Sequence, residues 1–339
     1  MLLTTPLTDR LGITHPVLLA PMAGVAGGAL AAAVSRAGGL GFLGGGYGEA
    51  DWLERELGLL EGTRFGIGFI TWSLAQRPAL LERALAARPT AVMLAFGDIR
   101  PFVEPIRAAG AVLICQIQTV KQAREVAALG ADILVAQGTE AGGHAGARAT
   151  LPLVPEVVDA VAPLPVVAAG GIADGRGLAA ALMLGASGVL VGTRFYAAEE
   201  ALADPRAKER LVAADGDATL RGPIFDIARG RDWPAPWNLR TLENTFARRW
   251  RENPAGLRTR AARARAEIEA ARAAGDFDIA PVIAGEAAGL VRKLCPAAEI
   301  VDTMVAEAAA LLADAAGHLR PVPPLSEDAR DVARDLRGF

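Results

Sequence analysis

The residues best suited to chemistry in this chain lie between positions 131 and 146, ADILVAQGTEAGGHAG. A lone imidazole, His144, follows Gly142 and Gly143 in a loop that opens at Gln137 and Gly138, directly after the apolar run Ile133-Leu134-Val135-Ala136. Packing asks for no histidine there. Histidine titrates near neutrality and can move a proton or hold an anion, and glycines beside it let backbone approach a ligand. Two more apolar runs downstream break into glycine, one at Gly170 and Gly171, the other at Gly192 and Thr193. Glycines in front of helical segments can offer backbone N–H groups and a helix N-terminus to a phosphate. Gln116 and Gln137 add neutral donors and acceptors, and this set holds no carboxylate cluster or metal-ligand spacing. Amide-rich walls with a phosphate end suit a flat, phosphate-bearing cofactor. Asp98 is a further polar side chain at an expected strand tip, whereas His15, before Pro16, and His318, near the C-terminal tail, are poorly placed for catalysis.

Such a set needs a scaffold that brings many strand ends to one rim. Short apolar runs recur at 17–20, 40–43, 65–69, 91–95, 112–115, 132–136, 165–169 and 188–191. Between them lie Ala-, Leu-, Arg- and Glu-rich stretches with helical spacing. Continuous apolar runs are the mark of strands buried on both faces of a parallel sheet. Eight such units in a row close most simply as an α/β (β/α)8 TIM barrel, whose ligands sit at the C-terminal strand ends. An open doubly wound sheet is the alternative, but the first run ends in Pro21-Met22-Ala23-Gly24, without a dinucleotide fingerprint.

The texture changes after Tyr196. Trp233-Pro234-Ala235-Pro236-Trp237 is a stiff aromatic turn, fit either to wall an apolar substrate or to pack a domain. The stretch 257–274 is rich in Arg and Ala, with Arg263–Glu267 and Arg265–Glu269 at the spacing of a solvated helix face. The expected division is 1–204 as the barrel, 205–310 as a small, mostly helical lid over its mouth, and 311–339 as a C-terminal helix and tail. With 339 residues, 52% hydrophobic and 22% charged, the chain can bury a large core. A net charge of −3 gives no footprint for nucleic acid. Two cysteines, the lack of a basic, apolar leader and the lack of a membrane-length apolar run point to a reduced, cytoplasmic setting with no membrane association.

Four motifs, HPVLLAPMAGV, QGTEAGGHAG, VVAAGGIADGRG and GVLVGTRF, occur in this order across residues 15–196. With them the chain resembles the nitronate monooxygenases, formerly 2-nitropropane dioxygenases, and the related FMN-dependent enoyl-ACP reductases and NADH:quinone reductases. The resemblance implies FMN as cofactor, and a small-molecule nitronate and O2 as reactants. A reductase using NAD(P)H is the alternative, for which Arg148 offers one phosphate partner. It further implies that backbone at Met22 and Ala23 lies against the flavin ring, and that Gln116 and Gln137 bond its polar edge and ribityl chain. Gly142, Gly170, Gly171, Gly192 and Thr193 would hold the phosphate end, and His144 would face the flavin as the catalytic histidine. Gly285 and Glu286 look like the loop that returns to the substrate side, where relatives often carry glutamine in place of Glu286. An asparagine common near the end of the third strand is replaced here by Gly68. Homodimers are common among barrels of this type.

Overall fold

The structure, a computed structural model, describes residues 3–315. The tail expected after Pro321, and His318 with it, lie outside the described residues. Eight parallel strands alternate with helices: β1 (Val17–Leu19), β2 (Phe42–Gly44), β3 (Gly66–Ile70), β4 (Ala91–Ala95), β5 (Val112–Ile117), β6 (Ile133–Gln137), then β8 (Val166–Ala169) and β9 (Gly188–Val191). The ladder runs β1-β9-β8-β6-β5-β4-β3-β2. A parallel bridge between Leu18 and Leu40 brings the chain entering β2 back to β1 and closes the cylinder. This is the expected TIM barrel.

Alternation along each strand sorts the core. Leu18, Phe42, Met93, Ile114, Ile133, Val135, Val167 and Leu190 fill the barrel interior, and their neighbours Leu19, Leu43, Leu94, Leu134 and Val189 pack outward against the helices. The floor is closed by the helix Pro6–Leu11, whose Leu7 and Leu11 join the interior cluster. With the floor sealed, the open rim is the end where His144 and the glycine turns sit.

Three features differ from the sequence expectation. The stretch expected as a mostly helical lid also contains sheet: β10 (Thr219–Gly222) and β11 (Asn238–Leu242) pair antiparallel with each other and with β7 (Gly143–Ala145), in the order β10-β11-β7. The strand carrying His144 is thus stitched into the lid. The helix Ala297–Asp314, partly assigned to the lid by position, packs instead on the barrel helices Gly175–Met183 and Gly28–Arg36. Its Met304, Val305 and Ala308 are buried in the barrel's main apolar cluster. The i,i+4 pairs expected in the helix Ala261–Ala274 do not form: Glu267 takes Arg249 (2.8 Å), and Arg265 donates to the Arg229 carbonyl (3.1 Å). The lid's own core gathers Ile224, Phe225, Leu239, Phe246, Leu257 and Ile268.

Candidate active site

The C-terminal strand ends enclose a cavity of about 730 Å3, roofed by the lid. Its barrel side is lined by Met22 and Ala23 after β1, Gln116 on β5, Gln137 on β6, Gly142 to His144, Gly170 and Gly171 after β8, and Gly192 and Thr193 after β9. Every barrel residue expected at the site is therefore brought to one cavity.

The two glycine turns make a cradle. Gly170 and Gly171 have φ of +106° and +75°, a left-handed course open chiefly to glycine, and Gly192 stands where a Cβ would come within 3.5 Å of Ala20 and 3.6 Å of the Met22 sulfur. Gly192 lines the cavity, so a side chain there would take up part of its volume. The expectation of a helix N-terminus after β8 is corrected: Asp174 accepts from the N–H groups of Arg176 and Gly177, and Glu307 accepts from Gly175 (3.0 Å). That helix end is already capped by protein. The Thr193 hydroxyl accepts from the Gly285 N–H (2.9 Å), which ties the returning loop to β9.

At the opposite side a chain of amides is fixed. Gln116 and Gln118 both donate to the Gln137 side-chain oxygen (3.0 and 2.9 Å), Gln137 donates to the His144 carbonyl (3.1 Å), and Trp237 donates to Gln118 (3.0 Å). Gln137 is therefore mostly occupied within the protein, and one N–H remains for a ligand.

His144 is buried and sits between two lid residues that the sequence reading did not find. Its Nε2 lies 2.8 Å from Asp226 Oδ2, and the other Asp226 oxygen takes the Arg229 guanidinium at 2.9 Å. Trp233 lies flat on the imidazole, with ring centroids 3.3 Å apart and planes 10° from parallel. Trp233 also donates to the Tyr47 hydroxyl (3.0 Å), so the lid reaches across to the β2 side. Of the two roles considered for the aromatic turn, Trp233 forms cavity wall, while Trp237 packs on Phe96 and Gln118. Phe96, at the end of β4, holds φ of +65°, a strained course for a non-glycine residue, and stands edge-on to Trp233 and His144. Burial pulls the His144 imidazole below its ordinary pKa, and the Asp226 carboxylate opposes that pull. With Asp226 on Nε2, the neutral ring keeps its proton there and leaves Nδ1 for a ligand.

Gly285 and Glu286 are not among the residues lining the cavity, whereas Ile283 and Ala287 on either side of them are. A Cβ on Gly285 would meet the Glu140 carbonyl at 2.4 Å, and one on Gly142 would meet Ala284 backbone at 2.6 Å, so the two loops touch backbone to backbone. Glu286 pairs with Arg240 (2.9 Å). Arg148 is taken by Glu156 (2.6 Å), and Asp98 caps Arg100 in an exposed ion pair (2.7 Å), so neither serves the cavity. At Gly68 the Pro21 ring occupies the place of a side chain, 2.3 Å from an added Cβ.

The sequence model of the nitronate monooxygenase family matches residues 4–63 and 71–307. The chain belongs to the nitronate monooxygenase family. It is accordingly an oxidoreductase of the flavoprotein class. The unmatched residues between the two segments, 64–70, include Gly68. A nitronate monooxygenase of Metarhizium robertsii, npaC, is 37% identical over 89% of this chain and 93% of its own length. A (3aS,4S,5R,7aS)-5-hydroxy-7a-methyl-1-oxo-octahydro-1H-indene-4-carboxyl-CoA dehydrogenase of Mycobacterium tuberculosis is 40% identical over 65% of this chain, and the match spans 63% of that relative. Among solved structures, FabK from Thermotoga maritima superposes with a TM-score of 0.81 at 32% identity, covering 93% of this chain and 99% of FabK. The nitroalkane oxidase of Streptomyces ansochromogenes does so with a TM-score of 0.75 at 31% identity, covering 91% and 99%. In this family member no helix of the described residues is long and apolar enough to cross a membrane.

Proposed function

We propose that this chain is an FMN-dependent nitronate monooxygenase that oxidises alkyl nitronates with O2 to carbonyl compounds and nitrite. The observation that carries the reading is a single cavity with a glycine cradle at one end and the His144–Asp226 pair at the other. The donors of Gly142, Gly170, Gly171, Gly192 and Thr193 would hold the phosphate. Backbone at Met22 and Ala23 would lie along the ring, and Gln116 with the free N–H of Gln137 would meet its polar edge. The bound flavin supplies electron transfer between the organic substrate and oxygen.

The chain's residues bind, orient and manage the proton. An approaching nitronate anion favours the imidazolium of His144, whose Nε2 proton Asp226 holds. A neutral nitroalkane instead meets the neutral ring, and Nδ1 is free to take its α-proton. Trp233 covers one face of the imidazole, so a ligand cannot stack on that face.

The test is anaerobic stopped-flow absorbance of the FMN-loaded protein against propyl-2-nitronate, NADH and NADPH. Fast bleaching by nitronate alone is the expected outcome. Bleaching by a nicotinamide alone would move the chain to the reductases, a reading favoured by its likeness to FabK and to the CoA-ester dehydrogenase. A protein that takes up no FMN would overturn both.

A further inference from the structure

Arg221 on β10 and Arg240 on β11 are direct register partners in the lid sheet. Like charges directly opposite in an antiparallel pair destabilise it, and a local rule broken in this way marks function more often than accident. The Arg240 side chain is only 11% exposed. Burial, reinforced by the Arg240 charge, pulls Arg221 down to about 10.

Both side chains converge on the loop that precedes His144. Arg221 donates through Nη2 to the carbonyls of Thr139 and Ala141, each at 2.7 Å, and through Nη1 to those of Gly143 (3.3 Å) and Asn238. Arg240 donates from Nε to Thr139 (3.0 Å) and pairs with Glu286. Neither arginine lines the cavity, whereas Ala141, Gly142 and Gly143 do. In a planar trans peptide the N–H and C=O point in opposite directions. Holding the Ala141 carbonyl therefore turns the Gly142 N–H away from Arg221. A forked cation stands behind peptide units whose positive ends face the other way.

We propose that Arg221, supported by Arg240, is a positioning residue of the active site: it locks the 139–143 loop so that the Gly142 N–H and the charge behind it favour the anionic phosphate end of the ligand. The inference rests on the cavity being a flavin site. The phosphate carries the same charge in both redox states, so this polarity strengthens FMN binding without moving its potential.

The experiment compares wild type, Arg221→Met and Arg221→Lys by hydrogen exchange over residues 138–146, by FMN titration of the proteins stripped of flavin and by kcat and KM for nitronate at saturating FMN. In Arg221→Met we expect loop amides to exchange about tenfold faster. FMN should bind about tenfold more weakly. kcat should drop while KM changes little. Arg221→Lys keeps the charge without the fork, so it should hold the FMN affinity and still show the faster exchange. If Arg221→Met does not fold, Arg221→Lys and Arg240→Met carry the same exchange comparison. A folded Arg221→Met with wild-type exchange and FMN affinity overturns the proposal. Failure of the wild type to bind FMN would defeat the flavin reading separately, and the exchange data would still decide whether Arg221 fixes the loop.

Discussion

Asp226 changes what His144 can do, and it illustrates which residues a sequence hides. His144 stands out because it is isolated between glycines beyond a buried strand. Asp226 lies 82 positions away on a short helix, Ile224–Arg229, whose pattern announces only that Ile224, Phe225 and Ala228 are buried. Its carboxylate reaches the imidazole only because β10 and β11 fold onto β7. Trp233 was legible as an aromatic in a stiff turn, but its place on the imidazole face was not. Replacing His144 with alanine should cut kcat by about 10²- to 10⁴-fold, the usual share of a positioned acid–base group. The sharper test is Asp226→Asn. The Asp226 charge raises the imidazole pKa against the lowering effect of burial, so its loss should lower that pKa further. With a neutral nitroalkane as substrate, activity needs the neutral ring and rises with pH through this pKa. Its acidic limb should therefore move to lower pH in Asp226→Asn, while the plateau falls because the ring loses its orienting partner. An unchanged pH–rate profile would remove Asp226 from the machinery.

Elements divide by what defines them. The eight barrel strands were readable within a residue or two because each is a run of side chains buried on both faces, as in Val166-Val167-Ala168-Ala169. β7, β10 and β11 were not, because Gly143-His144-Ala145 and Thr219-Leu220-Arg221-Gly222 are too short for their alternation to stand out from loop sequence. They are strands by virtue of pairing. The returning loop lines the cavity through Ile283 and Ala287, while Gly285 between them meets Gly142 backbone. Alanine at Gly142 would place a Cβ 2.6 Å from Ala284 backbone and force the loops apart. We expect it to cost about 1–3 kcal/mol by overpacking and to weaken FMN retention. Gly62→Ala is the comparison: φ is +69° there but the space is open and away from the cavity, so only about 1–2 kcal/mol of backbone strain applies and no loop contact is lost. Thermal unfolding and FMN titration of both variants check this, and equal effects on FMN retention would dissolve the distinction.

At the scale of the molecule, the barrel borrows its last helix from beyond the lid. The helix Ala297–Asp314 returns to cover Gly175–Met183, and Glu307 caps that helix at Gly175. Chain position alone put residues 297–310 in the lid, because an apolar helix announces that it must be covered without saying by what. Glu307→Ala should lower stability by about 1–2 kcal/mol through the lost cap, visible as a drop in Tm of a few degrees, with KM for nitronate unchanged. A change in KM without a change in Tm would mean that the helix serves the site and not the scaffold. The three-stranded sheet has a different consequence, for how such proteins can be recombined. β7 belongs to the barrel by sequence and to the lid by pairing, and the Asp226 that answers its histidine comes from the lid as well. A chimaera that takes only residues beyond the ninth strand from a relative would graft half of a sheet and half of a proton-handling pair. The transferable unit is the lid together with the short segment around His144, and swaps cut that way should keep turnover where simpler ones lose it.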